Sequence, residues 1–105
     1  MLQLRNLNEL GDYAIRWQRR MFTAVPVTQL HRALSLCEEA GEVARYLLKE
    51  DLQVRPETRG NLTEELGDTL GQLCAIARSA GLDMDVIIDT TVNKLQRIEA
   101  TGLKK

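Results

Sequence analysis

Two acidic pairs in this sequence repeat one pattern. Glu39 and Glu42 stand three residues apart, as do Glu65 and Asp68, and a glycine comes immediately before the second acid of each pair. Residues three or four apart share one face of a helix, so two helices with such pairs can direct four carboxylates toward one point. Gathered carboxylates repel one another and are costly to bury without a counter-charge. The pattern indicates a divalent-cation site, and all-oxygen ligands suit Mg²⁺ or Mn²⁺.

Other chemistries fit the sequence less well. A di-iron helical bundle needs Glu-x-x-His motifs, and the single histidine, His31, is not part of one. A zinc site needs a cluster of cysteine and histidine, whereas Cys37 and Cys74 are expected to be reduced core residues. The remaining alternative is a non-catalytic, oligomeric helical interaction module, whose acids are solvated, paired with neighbouring cations or bound to a structural metal.

The length and the composition of the chain are those of one ordinary globular domain, over residues 1–105. The formal net charge of −1 gives no indication that the chain binds a nucleic acid polymer or an anionic membrane. No apolar run approaches the roughly 18 residues that a membrane span requires. The first residues lack the basic and apolar regions of a secretory signal, so we expect a cytoplasmic protein.

The spacing of apolar residues predicts four helices and no strands, and therefore an all-α, four-helix bundle-like domain. The first helix covers about residues 7–22, with Asn6 or Asn8 as its cap and the stripe Leu10, Ala14, Trp17 and Met21. The second begins near Pro26 or Thr28, ends near residue 51 and directs Leu30 and Leu34 inward.

A polar connector covers residues 52–60. The third helix begins at an Asn61–Glu64 capping box, or with an earlier turn at Pro56, and ends at Gly81. The fourth runs from an Asp83 cap to Gly102.

Two glycines lie inside these helices, beside the acids. Glycine in a helix costs up to about 1 kcal/mol relative to alanine, so its presence needs a reason. We expect Gly41 and Gly67 to allow the close approach of another helix or of a ligand.

The acidic residues resemble a family signature. The run Glu38-Glu39-Ala40-Gly41-Glu42, followed after 22 residues by Glu65-Leu66-Gly67-Asp68, is similar to the Glu-Glu-x-x-Glu … Glu-x-x-Asp motif of the MazG-like nucleotide pyrophosphohydrolases. These belong to the all-α NTP pyrophosphatase superfamily. The resemblance extends from about residue 31 to residue 102.

The resemblance implies Mg²⁺-dependent hydrolysis of a (deoxy)nucleoside triphosphate between its α and β phosphates, as in the removal of unwanted nucleotides. The products would be a nucleoside monophosphate and pyrophosphate; a biosynthetic substrate such as phosphoribosyl-ATP is a close variant. By the same resemblance, Glu39, Glu42, Glu65 and Asp68 are expected to bind the metal. Glu38 and Glu39 are the expected catalytic acids, with Glu38 either a ligand to a further metal or the group that orients the attacking water.

The resemblance also implies a substrate side and an oligomer. Asn93, Lys94 and Arg97 are expected to contact the phosphates or the sugar. Trp17 would stack on the base or pack in the core, and His31 would contact a phosphate or cap its helix. Family members of this length form homodimers or homotetramers whose sites are often completed by a neighbouring subunit. Apolar residues for such an interface include Leu47, Leu48, Ile76 and Ile88.

Overall fold

The chain is all-α in a computed structural model that describes residues 6–51 and 59–102. Its four helices are α1 (Leu7–Met21), α2 (Gln29–Asp51), α3 (Arg59–Ser79) and α4 (Met84–Thr101). No strand occurs in the described ranges, which confirms the predicted fold class. None of the helices in those ranges combines the length and the apolar character that crossing a membrane requires.

Short polar residues begin α1 and α4 as the sequence predicts. Asn6 caps α1, and its side chain accepts a hydrogen bond from the backbone N–H of Glu9 at 2.9 Å. Asp83 caps α4 in the same way, accepting from the backbone N–H of Asp85 at 2.9 Å. Each cap satisfies a helix N–H that has no partner within the helix.

Glycines end α3 and α4. The N–H of Leu82 donates to the carbonyl of Ala77 at 2.9 Å, and the N–H of Gly81 donates to the carbonyl of Arg78 at 3.0 Å. This pair of bonds is a Schellman motif, and Gly81 has the positive φ of 77° that the motif requires. Gly102 ends α4 with a φ of 70°.

Helix α3 begins between the two predicted positions, Pro56 and Asn61. Its first residue is Arg59, so Asn61 lies inside the first turn and the predicted Asn61 cap is wrong. Of the predicted connector 52–60, residues 59–60 belong to α3 and residues 52–58 lie outside the described part of the chain.

Helix α3 is the central element of the fold. It packs against both α1 and α2, whereas α4 contacts α1 and α3 but not α2. The buried cluster consists of Cys74, Ala77 and Met84. Packed against it are Leu7, Leu10 and Ile87. The core therefore lies where α1, α3 and α4 meet, at one end of the seam between α1 and α3.

One glycine makes the close approach between helices, and the sequence did not single it out. A Cβ on Gly11 would lie 2.5 Å from the carbonyl oxygen of Cys74 and 2.6 Å from Cγ of Arg78. A Cβ on Gly41 or Gly67 would meet nothing within 4 Å. The expectation that another helix of this chain approaches those two glycines is therefore wrong, and glycine is required in α1.

Much apolar surface is left uncovered in the single chain. The Cα radius of gyration is 16.5 Å, whereas a compact chain of this length has one of about 13 Å. Leu30 and Leu34, which were expected to face inward from α2, are 67% and 60% exposed. Cys37 is exposed on the same helix, so its assignment to the core is wrong, whereas Cys74 is buried. Helix α4 adds the exposed residues Val86, Ile88, Val92 and Leu95.

Candidate active site

Three of the predicted metal ligands meet at the seam between α2 and α3. One carboxylate oxygen each from Glu39, Glu65 and Asp68 lies within 4.8 Å of the others. Glu39 comes from α2 and the other two from α3, where their spacing of three residues puts them on one face. The geometry therefore joins the two sequence motifs into one acidic cluster.

The other two predicted acids lie beside this cluster. Glu42 accepts a hydrogen bond from the guanidinium of Arg45, one turn further along α2. Glu38 is exposed on the same helix. Both are close enough for their charges to raise the pKa of Glu39. Their roles as ligand and as catalytic acid stay predictions.

Without a cation, the close carboxylates of this cluster repel one another. Burial raises the pKa of Glu39 above its ordinary value, and the negative charges of Asp68 and Glu65 raise it further. Oε2 of Glu65 is buried and accepts no hydrogen bond within the described structure. A buried carboxylate oxygen without a donor is costly. A divalent cation would supply the missing partner, and three carboxylates are the ligand type that Mg²⁺ and Mn²⁺ prefer.

A cavity of about 850 Å³ opens beside the acids. Its lining includes two acids, Glu39 and Asp68, and two aromatic residues, Trp17 and Phe22. The two aromatic rings meet edge to face, with centroids 5.9 Å apart and planes at 82°. The volume lies in the range of small-ligand sites. A ligand that carries both an anionic group and a flat apolar group would match this lining.

Trp17 and His31, both predicted to contact a substrate, line this cavity. Trp17 is 42% exposed, so it is a wall residue and not part of the core. His31 also closes the first turn of α2. Its Nδ1 accepts from the N–H of Thr28, and its own N–H donates to Oγ1 of Thr28, both at 3.2 Å. The capping interpretation of His31 is therefore correct, and its ring still faces the cavity.

Helix α4 does not bring the predicted phosphate contacts to the acids. Asn93, Lys94 and Arg97 are exposed on α4, which does not contact α2. None of the three lines the acid-lined cavity. Within one chain these residues are separate from the acidic cluster, and their substrate role stays a prediction.

A polar network in the cavity wall was missed by the sequence reasoning. Gln18 and Arg32 are only 5% and 7% exposed. Oε1 of Gln18 accepts from Nε of Arg32 at 3.0 Å, and Nε2 of Gln18 donates to Oε1 of Gln72 at 3.4 Å. Gln18 lies seven residues after Gly11 and therefore on the same face of α1, but the burial of Gly11 is itself known only from the structure. The sequence therefore contained no signal for Gln18 or for Arg32.

Comparison with known proteins yields one finding. A family model described as the MazG nucleotide pyrophosphohydrolase domain matches residues 28–101. That range includes the acidic cluster and α4, but it excludes α1 and therefore Trp17. No curated protein and no solved structure matches the chain.

Proposed function

The chain belongs to the MazG nucleotide pyrophosphohydrolase family, and we propose that it hydrolyses a (deoxy)nucleoside triphosphate between the α and β phosphates, using Mg²⁺ or Mn²⁺. The products are a nucleoside monophosphate and pyrophosphate. The observation that carries the proposal is the convergence of Glu39, Glu65 and Asp68 within 4.8 Å beside a cavity that also has an aromatic wall.

The acidic cluster has the properties of a metal site. Its oxygens come from two helices that are held together by packing against each other. The buried Oε2 of Glu65 has no donor among the described residues, so a cation would satisfy it. In this proposal Glu39, Glu65 and Asp68 hold the metal, and Glu42 joins them when its side chain turns away from Arg45. The bound cation would neutralise the triphosphate and lower the pKa of a bound water.

The protein's own side chains would orient the reaction. Glu38 stands next to Glu39 but outside the close cluster, so its carboxylate is available to orient the attacking water and accept its proton. Trp17 lines the same cavity as the acids and would stack on the base. His31 and Ser35 also line this cavity and would contact the sugar or the phosphates.

The residues of α4 would reach the site across a subunit interface. Asn93, Lys94 and Arg97 lie on a helix that does not contact α2 in the same chain. The same helix exposes Ile88, Val92 and Leu95 on one face, and these residues are 41%, 43% and 58% exposed. Contiguous apolar surface of this kind is typical of an interface. We therefore propose a homodimer or homotetramer in which α4 of one subunit approaches α2 and α3 of another.

The test is to measure pyrophosphate released from a panel of ribo- and deoxyribonucleoside triphosphates, with and without Mg²⁺. The proposal predicts pyrophosphate, with no free phosphate, in the presence of the metal. Asp68→Asn should lower kcat by at least about a hundredfold, because a ligand to the metal is lost. Glu64→Gln, a change of the same charge at an exposed site on α3, should leave kcat unchanged.

Two outcomes would favour other functions. Pyrophosphate release from phosphoribosyl-ATP, and from none of the nucleoside triphosphates, would indicate a biosynthetic hydrolase. No hydrolysis of any substrate, with no change in Trp17 fluorescence on addition of Mg²⁺ and nucleotide, would favour a helical interaction module. The extensive exposed apolar surface is the observation that supports the interaction module as a second candidate function.

A further inference from the structure

Arg32 is a buried cation that has no acidic partner among the described residues. Its side chain is in the first turn of α2, and the residue is only 7% exposed. Its Nε donates to Gln18 at 3.0 Å and one terminal nitrogen donates to Oε1 of Gln29 at 3.1 Å. Both partners are neutral amides, and no described carboxylate forms an ion pair with Arg32. Buried charges in proteins are normally paired, so this site lacks an anion.

The surroundings of Arg32 increase the positive potential. Burial lowers the pKa of Arg32, and the nearby positive charge of Arg19 lowers it further. The beginning of an α-helix also carries a partial positive charge, which disfavours a cation and favours an anion. Burial, a like charge and the helix dipole therefore act in the same direction at this position.

Arg32 also lines a second cavity, which shares Phe22, Thr23 and Val27 with the acid-lined cavity. It has a volume of about 650 Å³, and its described lining includes Arg19, Arg32 and Arg78 but no acid. Arg78 is neutralised by Asp12, whose Oδ1 accepts from its Nε at 2.9 Å. Arg19 and Arg32 have no carboxylate partner in the described part of the chain. The cavity therefore holds two uncompensated positive charges.

We propose that this second cavity binds a phosphate dianion, either inorganic phosphate or the phosphate of a monoester, between Arg19 and Arg32. Two unpaired guanidinium groups match a charge of −2, and arginine binds phosphate through paired N–H donors. Thr23 lines the same cavity, and its hydroxyl can donate a further hydrogen bond. None of Glu39, Glu65 and Asp68 lines this cavity, and the proposal does not depend on the proposed hydrolysis.

The cavity is larger than a phosphate ion, and its size distinguishes two sources of the dianion. Ile15, Phe22 and Val27 give it an apolar part beyond the arginines. An organic body such as that of a nucleoside monophosphate would fill this part, whereas inorganic phosphate would leave it empty. Tighter binding of the monophosphate that is lost in Arg19→Gln would assign the site to a phosphomonoester, because Arg19 lines the second cavity and not the acid-lined one. Equal binding of the two ligands would assign the site to phosphate itself. Either result supports the dianion site.

The test uses the whole protein in buffer that has been stripped of divalent cations, at constant chloride concentration. Inorganic phosphate and a nucleoside 5′-monophosphate are each titrated, with calorimetry and the thermal midpoint as readouts. We expect saturable binding and a matching rise in the midpoint. Arg19→Gln should weaken binding at least about tenfold, because one charge-assisted contact is lost. Arg20→Gln is the matched control, since Arg20 lies on the same helix over the Tyr13 ring and lines neither cavity.

A second variant keeps the proposal falsifiable if one substitution disturbs the fold. Arg32→Gln should abolish the phosphate response, and without phosphate it should be at least as stable as the parent because a buried charge is removed. The proposal is wrong if neither ligand binds saturably. It is also wrong if Arg20→Gln weakens binding as much as Arg19→Gln does, because that result would indicate general attraction to a basic surface.

Discussion

Replacing Glu39 with glutamine should stabilise the protein when no divalent cation is present. Most core-bordering substitutions destabilise a fold. Glu39 is an exception because it is partly buried and lies within 4.8 Å of two other carboxylates. Glutamine keeps the shape of the side chain and removes its charge. Its amide can also donate to the buried Oε2 of Glu65, which has no donor among the described residues.

The size of this effect follows from the spacing of the charges. Two unit charges 4.8 Å apart repel by about 3.5 kcal/mol at an effective dielectric constant of about 20, and by about 0.9 kcal/mol in water. Glu39 experiences two such repulsions. Because Asp68 is exposed and solvent screens its charge, we expect the lower end of this range. The free energy of unfolding should rise by about 2 kcal/mol, which corresponds to about 10 °C in the thermal midpoint.

The effect should depend on pH in a defined direction. The pKa of Glu39 is raised in the folded chain above its ordinary value of 4.5, so the folded state retains this proton to a higher pH than the unfolded state. That proton stabilises the parent protein below about pH 4.5, and the contribution is lost as the pH rises through the folded pKa. The advantage of Glu39→Gln should therefore be small in acid and should grow toward neutral pH.

Chemical unfolding at several pH values, with and without Mg²⁺, measures both effects. Mg²⁺ at a hundred times its Kd should stabilise the parent by about 2.7 kcal/mol, and this gain should be absent in Glu39→Gln. Glu64→Gln, which removes an exposed charge outside the cluster, should change neither value by more than about 0.5 kcal/mol. The reasoning is refuted if Glu39→Gln is less stable than the parent at neutral pH without metal, or if Mg²⁺ stabilises both proteins equally.

Three further predictions address the packing, the cavity wall and the assembly. Gly11→Ala should lower the free energy of unfolding by about 3 kcal/mol in a denaturant titration, because the new Cβ would meet the backbone of α3 at 2.5 Å. Gly41→Ala is the matched control: its Cβ meets nothing within 4 Å, and it should raise the free energy of unfolding by up to about 1 kcal/mol. Trp17→Ala should raise KM about tenfold or more with little change in kcat, since base stacking is worth about 1–3 kcal/mol; an unchanged KM in the pyrophosphate-release assay would remove Trp17 from the base site. Val92→Asp should shift sedimentation toward a smaller species, because a charge would enter the exposed apolar face of α4; the same sedimentation coefficient as the parent would exclude this face from the interface.

Helix ends were predictable because their signals are local. Asn6 and Asp83 cap through hydrogen bonds to residues two or three positions away, and Gly81 and Gly102 supply the positive φ that ends a helix. The predicted Asn61 cap is wrong because a local signal can also be ambiguous. A capping-box pair is also compatible with the interior of a helix, so the motif alone does not decide where the helix begins.

The acidic site was predictable in its members but not in its detailed contacts. Their spacing alone indicated that Glu39, Glu65 and Asp68 can be directed toward one point, and the structure brings them together. Whether Glu42 faces the other acids or Arg45 is a choice between side-chain rotamers. Nothing in the spacing of residues decides such a choice.

By itself, the sequence determined the number and type of the helices and most of their ends, because each depends on residues close together in the chain. The spacing within each acidic pair also indicated the three acids that the structure brings together. Only the tertiary structure decided which surfaces are covered. It buries Gln18 and Arg32, exposes Leu30 and Leu34, and requires glycine at position 11 instead of 41 or 67. These outcomes depend on how α1 and α2 rotate against α3, and a rotation about the helix axis changes the buried face without changing any local preference.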